Sequence, residues 1–141
     1  VRFVGLALLV AAGATVGTLL RASIELAFPH PPGEWPWATF VINVVGSFAL
    51  GALIEALALS GPDTGRRRML RLGVGTGMIG GFTTYSTFVV EIDQLASAGQ
   101  VALAVAYALV SVVLGVVAAA IGAGAAASVF GRNEADGQGA A

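Results

Sequence analysis

The sequence predicts an all-α integral membrane protein with four transmembrane helices, the third of them broken near mid-span. Three observations lead there. Of 141 residues, 57% are hydrophobic and only 11% charged, with a mean hydropathy of +0.88, too little charge to clothe a water-soluble surface. Turn-rich segments divide the apolar chain into four stretches, each long enough at about 1.5 Å per residue to cross a hydrocarbon core about 30 Å thick. The third stretch carries Gly80-Gly81-Phe82-Thr83-Thr84-Tyr85-Ser86-Thr87-Phe88, a glycine pair and a run of hydroxyls that do not suit a continuous helix.

Phe3 to Phe28 forms the first span, apolar apart from Thr15, Thr18, Arg21, Ser23 and Glu25. A cleaved signal peptide is the rival reading, set aside because apolar character resumes through Val16, Leu19 and Leu20. Pro29-His30-Pro31-Pro32-Gly33 ends the helix, since prolines remove donors and restrict the residues before them. Trp35 and Trp37 then fall where an interfacial aromatic belt belongs. The second span covers 37–59, with Gly46, Ser47 and Gly51 offering a close approach to another helix. After the turn Ser60-Gly61-Pro62-Asp63-Thr64-Gly65 come Arg66, Arg67, Arg68 and Arg71, and a third span over 70–95. Gly99-Gln100 turns the chain into a fourth span over 101–127. One four-helix unit thus occupies 1–130, and 131–141 reads as a polar disordered tail. Four helices alone hardly enclose a polar pathway, and glycine-rich faces on three spans predict an oligomer.

Composition excludes several chemistries. Without cysteine there is no disulfide framework, thiolate metal site or thiol nucleophile, and a net charge of -1 provides no broad basic surface for nucleic acid. All seven basic residues are arginines. Arg2, Arg66, Arg67, Arg68, Arg71 and Arg132 fall on one side of the membrane, which predicts both termini in the cytoplasm. Only Arg21 could offset that bias from the other side.

Among the intramembrane polar groups, Asn43 must find partners, either as glue between helices or as a donor lining a pathway, with Thr39 on the same helix face. Arg21 snorkels to the headgroups or draws anions into a vestibule. Glu55, Glu91 and Asp93 sit near span ends and read as solvated interfacial carboxylates. A break at membrane depth survives only if buried in protein or lining an aqueous cavity. Its freed carbonyls suit a cation, and its amides and hydroxyls an anion. Tyr85 and Phe88, three apart, add electropositive aromatic edges.

The nine residues from Gly80 to Phe88 closely resemble the signature of the small bacterial fluoride channels of the Fluc, or CrcB, family. Thr39 to Phe48 resembles that family's second-helix motif, and Gly13-Ala14 through Leu20-Arg21 its first. The resemblance implies a passive, fluoride-selective channel rather than an enzyme, a multi-pass protein of the bacterial inner membrane that lowers cytoplasmic fluoride. It also implies an antiparallel, dual-topology dimer with two fluoride pathways and a structural sodium ion on its two-fold axis. Carried over, Asn43 is the pore-lining amide, and Tyr85 and Phe88 hold the aromatic positions. Ser86, Thr87 and Tyr107 form a polar exit track, with Ser111 on the face of Tyr107. Main-chain carbonyls of Gly80 and Thr83 hold the sodium, and Arg21, Thr39 and Glu91 match accessory polar positions.

Two features depart from the family pattern. Tyr85 stands where the family usually has phenylalanine. The arginine bias exceeds that of a chain inserting both ways, which suggests an oriented subunit paired with an oppositely oriented homologue instead of a homodimer. The alternatives are a small multidrug or cation exporter, which needs a titratable carboxylate near the membrane centre, and a structural membrane subunit that binds a partner through its glycine faces.

Overall fold

A computed structural model describes residues 3–138 and is all-helical, with no strand among them. Helix α1 spans Phe3–Ala27 and α2 spans Trp37–Leu59. A composite rod follows: α3 (Gly65–Leu70), a π-helical stretch π1 (Arg71–Ile79) and α4 (Gly80–Phe82). Helix α5 covers Ser86–Ser97 and α6 covers Val101–Gln138. Phe3–Ala27, Trp37–Leu59 and Val101–Phe130 are each long and apolar enough to cross a membrane. Large apolar side chains point outward along them, among them Leu8, Leu19, Val105 and Val116, the reverse of a soluble bundle and the arrangement lipid requires. The protein is a multi-pass membrane protein.

Two boundaries differ from those the composition suggests. The third rod begins at Gly65 rather than Leu70, so Arg66, Arg67 and Arg68 are helical. Hydropathy marks where lipid begins, whereas the helix begins where the turn geometry allows, here just after the extended Thr64. Likewise α6 continues past Ala127 to Gln138, taking in residues 131–138 of the expected disordered tail. No proline interrupts that stretch, so the backbone ladder outlasts the apolar sequence. Residues 139–141 of that tail and Arg2 lie outside the described residues.

Glycine sets how the helices meet. A methyl group added at Gly13 would collide with the carbonyl oxygen of Gly73, and one at Gly17 with that of Met78. Across the same seam Gly77 faces the Val10 carbonyl and Gly81 that of Ala14. Gly51 and Gly122 press the second seam, α2 against α6, onto the backbones of Ala119 and Phe48. These glycines therefore bring helices of one chain together, and the expectation that their faces await another subunit does not hold for them. The wide turn of π1 belongs to the same packing: Gly73 and Gly77 turn to α1 while Gly75 turns to Leu50 and Leu53 of α2.

The rod thus lies between α1 and α2, and α2 packs on α6. Helix α5 leaves α1 and leans on α6. A small core forms there from Leu95, Ala104 and Tyr107, backed by Trp35, Phe40, Phe88 and Ile92. The Trp35 ring meets Tyr107 edge-on at 5.2 Å and Phe40 at 5.5 Å. Trp35 therefore packs into this core, whereas Trp37 is 64% exposed.

Candidate functional site

Between α4 and α5 the backbone leaves the helical path. Thr83 is extended, with ψ at 157°, and the ladder resumes at Ser86. Each backbone group loosened there acquires a partner or an opening. The Thr83 amide and hydroxyl both donate to the Ile79 carbonyl, at 2.9 and 3.0 Å. The Thr84 amide turns away from Gly80 and donates to Asn43 Oδ1 at 2.9 Å, while Asn43 Nδ2 donates to the Thr84 carbonyl at 3.0 Å. Asn43 thus replaces a strand-like partner for one residue, using half of its amide hydrogens. The Thr87 amide donates to Thr84 Oγ1 at 3.2 Å instead of the Thr83 carbonyl. Thr84, 8% exposed, is the hub of the turn, and its hydroxyl also reaches those of Ser86 and Thr87 at 3.4 and 3.1 Å.

Two consequences follow for charge. The Gly80 and Thr83 carbonyls lose their usual amide donors and gain no other among the described residues. Among the described residues no carboxylate, thiolate or imidazole cluster could hold a metal, so the groups at this turn that could meet a cation are these main-chain oxygens. The Gly81 carbonyl is taken instead by Arg21 Nε and Thr18 Oγ1, both at 3.4 Å. Arg21 also pairs with Glu25 at 3.3 Å. Its guanidinium therefore contacts the interrupted backbone on one side and Glu25 on the other.

Beside the turn lies an open cleft of about 280 Å³, lined by Asn43, Ser47, Thr83, Tyr85, Phe88 and Ser111 among others. Among the described residues no charged side chain lines it. Tyr85 is 79% exposed, its ring centroid 6.3 Å from that of Phe88. Ser111 Oγ is buried with no hydrogen-bond partner among the described residues, an unspent polar group at the cleft wall.

Thr39, Glu91 and Tyr107 form a separate cluster. Thr39 Oγ1 donates to Glu91 Oε1 at 2.6 Å and the Tyr107 hydroxyl donates to Oε2 at 2.7 Å. All three are 5% exposed or less. Glu91 is consequently a buried, doubly bonded carboxylate, which corrects its reading as a solvated interfacial one: α5 turns it inward toward α2 and α6. Thr39 contacts Glu91 and not the Asn43 cleft, because four residues of helix carry it one turn away. The Tyr107 ring packs against Phe88 at a tilt, centroids 5.2 Å apart, and its hydroxyl is spent on Glu91, so it is joined to the Ser86 and Thr87 track only through neighbours. Thr84, Thr18 and Glu25 join the site without having stood out in the sequence. Thr84 had a visible signal, its place in the hydroxyl run.

The profile of the family described as CrcB-like protein, Camphor Resistance (CrcB), matches residues 8–123. The chain belongs to the CrcB family. Among its relatives, "Fluoride-specific ion channel FluC 1" of Cutibacterium acnes is 44% identical over 124 residues, covering 88% of this chain and 87% of that protein. "Fluoride-specific ion channel FluC 2" of Leifsonia xyli is 49% identical over 121 residues, covering 84% and 83%. "Fluoride-specific ion channel FluC" of Hyphomonas neptunium is 43% identical over 124 residues, covering 87% and 96%. These CrcB relatives are ion channels rather than enzymes, and the matched region runs from α1 into α6 through every site residue above.

Proposed function

We propose that this CrcB-family chain forms a fluoride-selective channel that passively exports fluoride across the bacterial inner membrane and so lowers cytoplasmic fluoride. The observation that carries the reading is the cleft at the helix interruption, walled by neutral donors and aromatic edges with no cationic side chain. Fluoride is small and strongly hydrated, so passage requires closely spaced donors to replace its water, and release requires that none of them trap it. The second Nδ2 hydrogen of Asn43, the Ser111 hydroxyl and the ring edges of Tyr85 and Phe88 line the cleft and meet both demands, while the hydroxyls of Ser86 and Thr87, bonded to Thr84 beside it, would continue the track outside it. Tyr107 acts from behind Phe88 in this scheme. Arg21, whose charge would hold an anion, is occupied by Gly81 and Glu25.

The same reading takes the functional unit to be an antiparallel, dual-topology dimer whose third helix is broken at membrane mid-depth. The unpartnered Gly80 and Thr83 carbonyls support a shared structural sodium, since two subunits would offer four oxygens. Sodium there would supply charge compensation for the loosened backbone and no chemistry. The arginines Arg66, Arg67, Arg68 and Arg71 favour a subunit of fixed orientation beside an oppositely oriented homologue, because Arg21 is held at Gly81 and does not balance them. The structural-subunit alternative loses its basis with the glycines of α1, α2 and α6 used within the chain. The exporter alternative would have to work through Glu91, which lies outside the cleft in a separate pocket with Thr39 and Thr87 and has both carboxylate oxygens bonded, to Thr39 and Tyr107.

Proteoliposomes loaded with potassium fluoride test the proposal. With a potassium ionophore present, a fluoride electrode should record rapid efflux, and the same vesicles loaded with chloride should release little. Absence of fluoride efflux from the chain alone and from the chain combined with its homologue would overturn the channel reading.

A further inference from the structure

Resting on the channel reading above, we propose that His30 sets, through the charge of its ring, how readily fluoride enters and leaves the end of the track opposite Arg66, Arg67 and Arg68. A second pocket of about 270 Å³ lies at that end, lined by Glu25, Pro29, His30, Thr39, Thr87 and Glu91 among others. One hydrogen bond joins it to the cleft at the interruption: Thr84, which lines the cleft, donates its hydroxyl at 3.1 Å to that of Thr87, which lines the pocket. The two hollows are thus the two sides of one hydroxyl pair. A further opening of about 430 Å³ lies between the α1–α2 connection and α5, lined by His30, Pro32, Gln94 and Ser97, of which Gln94 and Ser97 are exposed. Among the described residues His30 alone borders both the pocket and this opening, so it stands where the track meets water.

The chain holds that residue in place and surrounds it with charges that are already engaged. Helix α1 closes with the Phe28 amide on the Ile24 carbonyl at 2.9 Å, and prolines at 29, 31 and 32 then restrict the backbone on both sides of His30. From α1, Glu25 faces the pocket, and its charge is offset by Arg21 at 3.3 Å. From α5, Glu91 faces it with each oxygen accepting a hydroxyl, from Thr39 and Tyr107, while Gln94 and Ser97 are uncharged. Helix α2 adds only Ala38 and Thr39, and neither Glu34 nor Asp93 borders either hollow. His30 itself is in no ion pair among the described residues. A neutral ring therefore leaves the pocket with two carboxylates and no cation beyond Arg21, whereas a protonated ring adds a positive charge where fluoride crosses. Histidine is the residue type that ordinarily changes charge between about pH 5 and 8. A cation at a rim raises the local concentration of anions without standing in the cleft, where it would hold fluoride. The two connections at this end carry no lysine or arginine to mask the effect.

Proteoliposomes of the chain, alone or combined with its homologue, test this when fluoride efflux is read at about pH 8 and about pH 5.5, with the same pH on both sides. Protein-free vesicles supply the leak of hydrofluoric acid to subtract. Parent efflux should be about threefold faster at the lower pH, a modest gain for one charge at a wet rim. His30→Gln should conduct equally at both, and His30→Arg, charged throughout, should lose the pH dependence while keeping the faster rate. Because the chain has a single histidine, labelling histidine with carbon-13 in this chain gives a second reading by NMR. Fluoride should raise the pH midpoint of the ring signal relative to an equal concentration of chloride, since a nearby anion favours the imidazolium. A parent rate that does not rise at the lower pH, a rise that survives in His30→Gln, or a midpoint indifferent to fluoride would each overturn the role of His30. None of the three touches the channel reading, which fails only if no fluoride leaves the vesicles at either pH.

Discussion

At Asn43 one side chain serves the backbone and the cleft together. Its two hydrogen bonds to Thr84 hold the single extended turn, and each such bond contributes on the order of 1 kcal/mol, with a larger cost when a buried partner is left unsatisfied. Asn43→Ala should therefore slow fluoride efflux by at least about tenfold, equivalent to about 1.4 kcal/mol of barrier, while the elution position on size-exclusion chromatography stays that of the parent. Efflux equal to the parent would remove Asn43 from the pathway. That Asn43 needed partners was legible in the sequence, because an amide in hydrocarbon cannot go unpaired. Which partner it takes was not, since Thr84 is distant in sequence and reaches it only through helix packing. Glu91 shows the opposite failure. Its position near a span end suggested water, but depth along a helix says nothing of which way the residue faces, and α5 turns it toward Thr39 and Tyr107. Asp63, in the exposed loop, illustrates a simpler pair: its hydrogen bond to Arg71 holds its carboxyl below the usual range.

At the scale of elements, the same glycines that the sequence marked as close-approach residues determine which helices touch. The prediction of small residues at seams held, and their partners proved to lie within the chain. The π-helical stretch had no propensity signal of its own, since its glycines at 73, 75 and 77 are equally consistent with a plain membrane helix; its wide turn emerges only when both sides are pressed by α1 and α2. The seam also carries the interruption, because Gly17 meets the Met78 carbonyl and lies beside the Phe82 amide. Gly17→Val would force β-branched bulk against backbone that cannot rotate away. Overpacking of this kind costs about 1–3 kcal/mol, enough to lower the thermal midpoint of the detergent-solubilised protein by several degrees. Fluoride efflux should fall with it, since α4 would shift relative to Asn43. Gly124, around which an added methyl group meets nothing, is the control, and Gly124→Ala should leave both quantities at parental values. An equal loss in the two variants would show that the seam does not hold the interruption in place.

For the molecule as a whole, orientation follows from charge at the loops and not from any single contact. The first turns of the third rod, directly after its connection from α2, hold Arg66, Arg67, Arg68 and Arg71. The connections from α1 to α2 and from α5 to α6 hold no basic side chain except His30. Insertion machinery retains arginine-rich short loops on the cytoplasmic side, so a chain with this imbalance should enter the membrane one way. Reporter domains that are active only in the cytoplasm or only in the periplasm, fused after residue 141, read the outcome directly. The cytoplasmic reporter should account for nearly all of the signal. Replacing Arg66, Arg67 and Arg68 with glutamine should raise the periplasmic fraction several-fold, because only Arg71, already paired with Asp63, then remains at that end of the rod. Equal signals from the two parental fusions would sink the oriented-subunit reading and favour a homodimer built from chains inserted both ways. A one-sided signal instead requires a second, oppositely inserted chain for any antiparallel pair, and co-expression with that homologue should then be needed for full fluoride efflux.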